Sequence, residues 1–492
     1  MRRTRRIERM RPPASRGRRA AMLILVLWIL LILSVIAMSY ANTVQTGLHI
    51  TGARTAKVKA RFYAKAAIER TLAELTAAQM PFYGHTSGFY DDAAHYFEQP
   101  IGEGVFSLLT DESNEMGEPV YGLIDESSRL NLNTLTQEQL VTFPEITGEM
   151  TNSLLDWRDD DFETGLDGAE DDYYSILPEP YLCKNRQFQT VGELLLVRGW
   201  DEVALFGEDV NGNRYLDRSE DDGDATPPLD NADGALDRGL ARFFTLYARD
   251  KELDPNGQAR LDLKSAGQEQ LQRLEGMNET RARAIVQWRG NNQFDSLGDL
   301  LDVTEAQQQN QQSGQGAPGG QSGRGGQGGG RGGQSGRSGR SGQTGRTGQT
   351  GQGSQGGQSS QSSSSGQKVF NFEQAAQLLD WVCVGTEEKR NRVNLNTAPY
   401  EVLMALPGMT ESLAGEILTR RQGQGAFERK GDLRGVNGMT EEIFRQLIDY
   451  VTVQSYQFRV VAEGRDGAVR TTIETVLDLS GETPQILYWR EQ

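Results

Sequence analysis

Residues 20–41 read AAMLILVLWILLILSVIAMSYA, an unbroken run without a charge. At a rise of about 1.5 Å per residue such a run reaches about 33 Å, enough to cross a hydrocarbon core of about 30 Å. Nine arginines precede it (Arg2, Arg3, Arg5, Arg6, Arg9, Arg11, Arg16, Arg18 and Arg19) against a single Glu8. A basic cluster of this kind holds its flank on the cytoplasmic side. The stretch is therefore read as a membrane span, with everything after Asn42 exported. A cleaved secretory signal is the alternative, with Ala37-Met38-Ser39 or Ser39-Tyr40-Ala41 as the small-residue site. The apolar run is longer than the roughly 7 to 15 residues of a signal core, which favours a retained helix.

The chain continues as a helix. No proline occurs from Asn42 to Met80, and Ala60, Ala64, Ile68, Leu72 and Leu75 form a stripe at helical spacing. Pro81 then predicts a stop. One helix that is half in the membrane and half against a domain is the shape of a pilin-like subunit. The arginine-rich leader, the small pair Ala20-Ala21 and the run MLILVLWILLILSVIA resemble a type IV prepilin leader, in particular that of the minor pseudopilin K family of type II secretion systems (general secretion pathway protein K). The resemblance implies that a prepilin peptidase cuts between Ala20 and Ala21. The family usually has glycine before the cut, whereas the nearest glycine here is Gly17. Most pseudopilins carry Glu at the fifth mature residue, where this chain has Leu25, and the K type is the one that lacks it. A carboxylate in the apolar layer is costly unless paired, so a subunit without one needs no upstream partner. That suits a tip position.

The 492 residues suffice for two to four domains. The formal charge is −17, from 51 basic and 68 acidic residues. Once the leader and five arginines of a later tract are set aside, the body stands near −30. So acidic a body argues against nucleic acid and for cations or basic surfaces as partners. Cys183 and Cys383 allow one disulfide or two buried thiols. The three histidines, His49, His85 and His95, have no metal-ligand or triad spacing, and no catalytic constellation is visible. The protein is expected not to be an enzyme.

Gly104–Leu109 and Val120–Ile124 read as first sheet strands packed on the helix. From Arg129 the pattern becomes repetitive. Arg129-Leu130-Asn131-Leu132-Asn133-Thr134, Arg260-Leu261-Asp262-Leu263-Lys264-Ser265 and Arg392-Val393-Asn394-Leu395-Asn396-Thr397 are three copies of one opening. The register persists: Leu140, Leu271 and Leu403; Phe143, Leu274 and Leu406; Ile146, Met277 and Met409; Leu154, Ile285 and Ile417; Arg158, Arg289 and Arg421. Each copy closes on Phe, three residues, Gly, an acid and Leu, at 188–194, 294–300 and 427–433. Each reads as an Asn/Thr-capped helix, a tight turn, a second helix and a short connection into another.

This is the helix-hairpin-helix pattern, which in DNA-binding proteins such as the competence proteins offers glycine amides to phosphates. Copy three reads Pro407-Gly408-Met409-Thr410 and lacks the second glycine of Gly-x-Gly, and copy one has neither. With acidic surroundings, that favours hairpins that pack on one another over hairpins that grip phosphate. Between Arg158 and Phe188 copy one is longer and acidic. Its Leu154–Asp159 stretch, Gly168-Ala169-Glu170-Asp171-Asp172-Tyr173-Tyr174 and Lys184-Asn185 resemble the signature of the pseudopilin K family.

Asp209, Asn211, Asn213, Asp217 and Glu220 stand at positions 1, 3, 5, 9 and 12 of a loop, with the Tyr215 carbonyl at 7. That is the spacing of an EF-hand-type calcium loop, in which alternate residues converge on one hard cation. Position 6 is Arg214, and the glycine sits at 4. Asp230–Asp237 is a second candidate, through Asp233 and Asp237. The family resemblance also implies calcium in the large domain.

Residues 304–367 are Gly, Gln, Ser and Arg with almost no apolar residue, and are expected to be disordered. Gln457–Glu463, Val469–Leu477 and Gln485–Trp489 alternate and read as closing strands. The expected fold class is α+β: a pilin-like long N-terminal helix with an antiparallel sheet, carrying a large inserted, mostly α-helical domain with helix-hairpin-helix repeats. The expected parts are leader 1–20, membrane half 21–41, periplasmic helix half 42–80, first strands 81–125, helical insertion 126–303, polar tract 304–367, helical domain continued 368–454, and closing strands 455–492. The resemblance implies a minor pseudopilin at the pseudopilus tip, N-terminus cytoplasmic and body periplasmic. Its implied partners are minor pseudopilins I and J, the prepilin peptidase, the inner-membrane secretion platform and membrane lipid. A membrane-anchored helix-hairpin-helix DNA-uptake protein and a minor pilin of a type IV pilus are the alternatives.

Overall fold

The computed structural model describes residues 16–78, 88–113, 119–223, 225–227, 230, 232–305, 367–481 and 483–492. Its first element is α1, a 63-residue helix from Arg16 to Ala78. From Met22 to Thr55 every side chain is exposed, and the apolar part is long and hydrophobic enough to cross a membrane. Further on one face turns inward, where Ala60, Ala64, Ala67, Ile68, Thr71 and Leu75 are buried. The stripe read from spacing is thus the face that meets the sheet. The stop expected at Pro81 lies outside the described residues.

Strands β1 (Gln99–Ile101), β2 (Gly104–Ser113), β3 (Pro119–Tyr121) and β4 (Ile124–Asp125) follow. The helical insertion then begins. Each repeat opening is a two-residue strand: β5 (Leu130–Asn131) pairs in parallel with β6 (Phe244–Thr245), β7 (Leu261–Asp262) with β8 (Val382–Cys383), and β9 (Val393–Asn394) with β10 (Val451–Thr452). Every opening is tied to the end of its own copy. The Oδ1 atoms of Asn131, Asp262 and Asn394 each accept the amide two residues on, all at 3.0 Å. The hairpins are Gln137–Leu140 with Gly148–Arg158, Gln268–Gln272 with Glu279–Trp288, and Tyr400–Met404 with Glu411–Gly423. Thr147, Asn278 and Thr410 cap the second helices by accepting the amides of Met150, Arg281 and Leu413, an arrangement worth about 1 kcal/mol each.

The repeated arginine has one role in all three copies. Arg158 donates to the carbonyls of Leu132 and Leu135, Arg289 to those of Leu263 and Ala266, and Arg421 to those of Leu395 and Ala398. One guanidinium fork satisfies two carbonyls of a turn that has no helical partners for them.

After the buried Phe188, Phe294 and Phe427, each copy adds a second hairpin: a 3-10 turn (Val191–Leu196, Leu297–Asp302, Lys430–Gly435), then a helix (Glu202–Phe206, Phe372–Leu378, Glu441–Leu447). In copies one and three a glycine at positive φ makes the bend, Gly199 at +85° and Gly438 at +86°. In copy two the polar tract stands at that bend. The chain on either side of it is paired: Thr304 bridges Lys368, Glu305 N donates to Gln367 O at 3.1 Å, and Val369 N to Val303 O at 2.9 Å.

The chain then closes the sheet with β11 (Gln457–Asp466), β12 (Val469–Asp478) and β13 (Gln485–Glu491). The order is β1-β2-β11-β12-β13, all antiparallel, with β3 on β2 and β4 on β11. The helix lies directly on β11. A Cβ on Gly464 would meet Ala60 O at 2.0 Å and Ala64 N at 2.5 Å, so both partners must be small at this crossing. Phe106, Leu108, Phe458, Val460, Ala462 and Ile473 fill the layer between helix and sheet, and the insertion has its own, larger core. The fold is the expected α+β pilin-like frame with an inserted helical domain.

Candidate cation sites and the family signature

The loop from Asp209 to Glu220 folds into a compact acidic turn. Asn211 Nδ2 donates to Glu220 Oε1 at 2.7 Å and to Asp217 Oδ2 at 2.9 Å, and Asn213 Nδ2 to the same Asp217 oxygen at 2.7 Å. Four of the five side-chain ligands are thus within reach of one another. Two amide nitrogens take the place between the carboxylates. Asp209 Oδ2 accepts Arg214 N at 3.0 Å, while its buried Oδ1 has no partner. Burial pushes the Asp209 carboxyl up, and burial together with Asp209, Asp217 and Glu208 does the same to Glu220. Like charges crowded in this way are what a cation would relieve.

Arg214 explains why the loop departs from the calcium-loop pattern. Its backbone holds the positive φ (+64°) expected at the sixth position, so the turn is made without glycine. The side chain leaves the loop and pairs with Asp111 of β2, Nε to Oδ1 at 2.7 Å. Tyr215 adds a second tie to the sheet, its hydroxyl donating to Glu463 Oε2 at 2.9 Å. Asp233 and Asp237 are exposed and do not join this cluster: Asp233 Oδ1 accepts Ala235 N at 2.8 Å, and Asp237 is tied by its backbone to Glu208. Asn231 lies outside the described residues. Ala20 and Ala21 lie within α1, their side chains outside the described residues.

The structure assembles a different set of acids more closely. One carboxylate oxygen each from Asp159, Asp161 and Glu170 lies within 4.8 Å of the other two. Glu170 is 3% exposed, and neither of its oxygens makes a hydrogen bond of good geometry, although the Cys183 thiol and the Asn185 side chain lie close to it; Asp159 Oδ1 and Asn185 Oδ1 are likewise buried without partners. Glu170 occupies the N-cap position of the helix Asp171–Tyr174 yet caps nothing. Burial, aided by neighbouring carboxylates, raises the carboxyls of Asp156, Asp159 and Glu170. Four buried oxygens without hydrogen-bond partners form an all-oxygen donor set that suits a hard cation such as calcium. The sequence flagged this loop only by its length and acid content. It could not show that Glu170 and Asn185 turn toward Asp159 and Asp161.

The same segment explains the signature residue by residue. Gly165 N donates to both oxygens of Asp156, at 3.2 and 3.0 Å. A Cβ on Gly168 would stand 2.0 Å from Asp156 Oδ2, so only glycine fits there. Ala169 and Tyr174 are fully buried, and Tyr174 packs edge-on against Trp157 at 5.2 Å and stacks on Tyr181. Arg198 lies over the Tyr173 ring at 4.8 Å and donates to Gly168 O at 3.1 Å.

The hairpin turns are exposed at Glu145, Gly276 and Gly408. Met277 N and Met409 N donate to Leu274 O and Leu406 O, and a Cβ on Gly408 would lie 2.6 Å from Gln446 Oε1 of the next hairpin. Both cysteines are free, Cys183 half-buried and Cys383 buried, and burial raises their thiols to about 12 and about 11.

A helix-anchored, pilin-like subunit with an inserted helix-hairpin-helix domain is the class this fold defines. Residues 125–205 match the family model of type II secretion system protein K, and residues 257–312 and 388–452 match that of the helix-hairpin-helix motif. Type II secretion system protein K of Klebsiella pneumoniae is 27% identical over 198 residues, covering 38% of this chain and 60% of that protein. A solved chain from the GspK-GspI-GspJ complex of the enterotoxigenic Escherichia coli type 2 secretion system covers 90% of this chain and 99% of its own length, at 12% identity and a TM-score of 0.39. The likeness to type II secretion system protein K is thus carried by residues 125–205, the first helix-hairpin-helix copy and its acidic segment, and the chain spans about 60% of the length of that relative.

Proposed function

We propose that the protein is a minor pseudopilin of a type II secretion system that stands at the pseudopilus tip with minor pseudopilins I and J and helps to initiate or limit fibre assembly during export across the outer membrane. The observation that carries this reading is the architecture itself. A domain matching protein K is inserted between β4 and β11 of a sheet that lies on a membrane-length helix. The sheet and helix supply a pilin-like body that can pack in a fibre, and the bulky insertion would obstruct addition of a further subunit above it. The leader up to Ala20 is removed by the prepilin peptidase, α1 anchors the chain singly in the inner membrane through lipid and the secretion platform, and the body faces the periplasm. The role is mechanical rather than enzymatic.

Calcium belongs to this proposal as a structural ion. The pocket of Asp159, Asp161, Glu170 and Asn185 is its principal site, because three carboxylates converge there and the buried oxygens of Glu170, Asp159 Oδ1 and Asn185 Oδ1 lack hydrogen-bond partners. The Asp209–Glu220 loop is a second site once the Asn211 and Asn213 amides turn their oxygens inward. Such amide orientations are set by the hydrogen-bond network and change with it. Co-purification of the tagged full chain with minor pseudopilins I and J of the same cell is the deciding experiment. Recovery of a stable complex supports the reading. Failure to recover either partner, together with tight, salt-sensitive binding of duplex DNA, replaces it with the DNA-uptake alternative.

A further inference from the structure

Where the helical insertion meets the sheet, the protein forms a half-open pocket of about 410 Å³, within the range of about 300–1,000 Å³ typical of small-molecule sites. Its charge runs against that of the molecule. Arg129, Arg214, Arg238, Arg242, Arg459 and Arg490 line it, against Asp111, Asp209 and Glu474.

The existing pairs do not use up these arginines. Asp111 alone faces three of them, with Arg129 Nη2 at 2.6 Å, Arg214 Nε at 2.7 Å and Arg238 Nη1 at 3.9 Å. Arg459 is held between Glu126 and Glu474, and Arg214 shares the latter at 3.9 Å. Counting Glu126 behind the wall and Glu401 beside Arg242, six guanidiniums meet five carboxyls. Burial lowers Arg238 below the ordinary arginine range, and Arg214 and Arg242 add to that. Arg242 has its nearest acid, Glu401, at 4.0 Å, and Arg490 pairs with no acid among the described residues. Both of these arginines are exposed at the mouth of the pocket, where an incoming anion can reach their guanidiniums directly.

The rest of the wall indicates what that anion carries. Phe244, Tyr247 and Tyr488 supply aromatic surface, with the two tyrosine rings 6.0 Å apart. Tyr488 and Arg490 alternate along β13 and so share one face of that strand. A guanidinium fork matches a carboxylate in two parallel hydrogen bonds.

We propose that this pocket is a binding site for a small organic carboxylate, its oxyanion held by Arg242 and Arg490 and its apolar body lying against Tyr247 and Tyr488. Titration calorimetry on the full chain in detergent micelles tests this with three probes: N-acetylphenylalanine, its C-terminal amide, and inorganic phosphate. The carboxylate should bind at least tenfold more tightly than the amide and more tightly than phosphate, and the affinity should fall as salt rises. The double variant Arg242→Gln/Arg490→Gln should lose at least tenfold in affinity with its melting temperature unchanged, since neither arginine closes a buried ion pair. If the double variant does not fold, Arg490→Gln alone should lose at least threefold. No heat from the carboxylate, equal binding of the amide or of phosphate, or affinity unchanged in the arginine variants overturns the proposal.

Discussion

Glu252→Gln tests how the second and third repeats are locked together. Glu252 accepts from Arg260 Nη1 through Oε2 and from Arg392 Nη2 through Oε1, each at 2.6 Å, while Asp250 accepts from Arg392 Nη1 at 2.7 Å. All four side chains are at most 6% exposed. The arginines are the first residues of copies two and three, so one acidic turn clamps both openings. The glutamine retains the shape and one acceptor but turns an NH₂ group toward a guanidinium, leaving a buried positive charge without its partner. Breaking a buried pair from one side costs about 3–5 kcal/mol, and the retained acceptor places the expected loss near the lower end. Chemical denaturation of the full chain at pH 7, followed by tryptophan fluorescence, measures it. Lys59→Met, which removes the exposed Lys59–Glu103 pair, is the control and should change nothing measurable. The clamp also has a pH signature. Burial raises the carboxyls of Asp250 and Glu252, but Arg392, with Arg260 at Asp250 and Lys430 at both, more than offsets this and holds each below its usual value. Unfolded carboxyls titrate near pH 4. The stabilisation is therefore complete above about pH 5 and lost as pH falls through 4 and below. Glu252→Gln should flatten that acid loss. A cost under about 1 kcal/mol, with an unaltered acid limb, would refute the reasoning.

Deleting residues 310–365 should leave the fold intact and slightly raise its stability, because the chain on both sides of the tract is already paired between Thr304 and Lys368. Shortening that connection about twelvefold is worth up to about 2 kcal/mol in closure entropy, and a melting temperature lowered by more than about 5 °C would show that the tract is packed. A calcium chelator should lower the melting temperature of the full chain, and Asp161→Asn/Glu170→Gln should abolish most of that response while Asp209→Ala/Glu220→Ala abolishes less; the reverse ranking would make the second loop the main site. At a hundredfold excess of ion over Kd the stabilisation lost is about 2.7 kcal/mol. Mass spectrometry of the mature chain should find Ala21 at its N-terminus, and a start at Asn42 or an intact Met1 would rule out the expected cleavage.

The parts of this fold that a sequence shows are those written at fixed spacing. The burial of Ala60, Ala64 and Ile68 follows from period, and so does the common register of Arg158, Arg289 and Arg421, although why an arginine stands there became clear only with the carbonyls it reaches. Alternation likewise marks β11, β12 and β13. What escaped the reading is built from residues far apart in the chain. Asp250 and Glu252 read as ordinary loop acids, and their partner Arg392 is about 140 residues away. The Glu170 oxygens are notable only because they are buried without hydrogen-bond partners, which is a property of packing. The Asp209–Glu220 loop was visible through its spacing, but spacing could not show that Arg214 would be spent on Asp111.

The place of the insertion has a consequence for how the protein is made. β11 is the central strand of the sheet, and it arrives only after the whole helical domain; Arg459 finds Glu126 across 333 residues of sequence. A chain delivered N-terminus first presents α1 and β2 long before β11 emerges, so the buried face of the helix and one edge of β2 must wait uncovered. The helical domain is complete by Thr452 and can close beforehand, whereas the sheet depends on the most distant contacts and is slow to assemble. Synthesis therefore makes the appended domain the earlier to mature and the helix-and-sheet frame the later. A product that stops short of β11 would display an apolar helix face and a bare strand edge together, a form open to proteases and to non-native strand pairing.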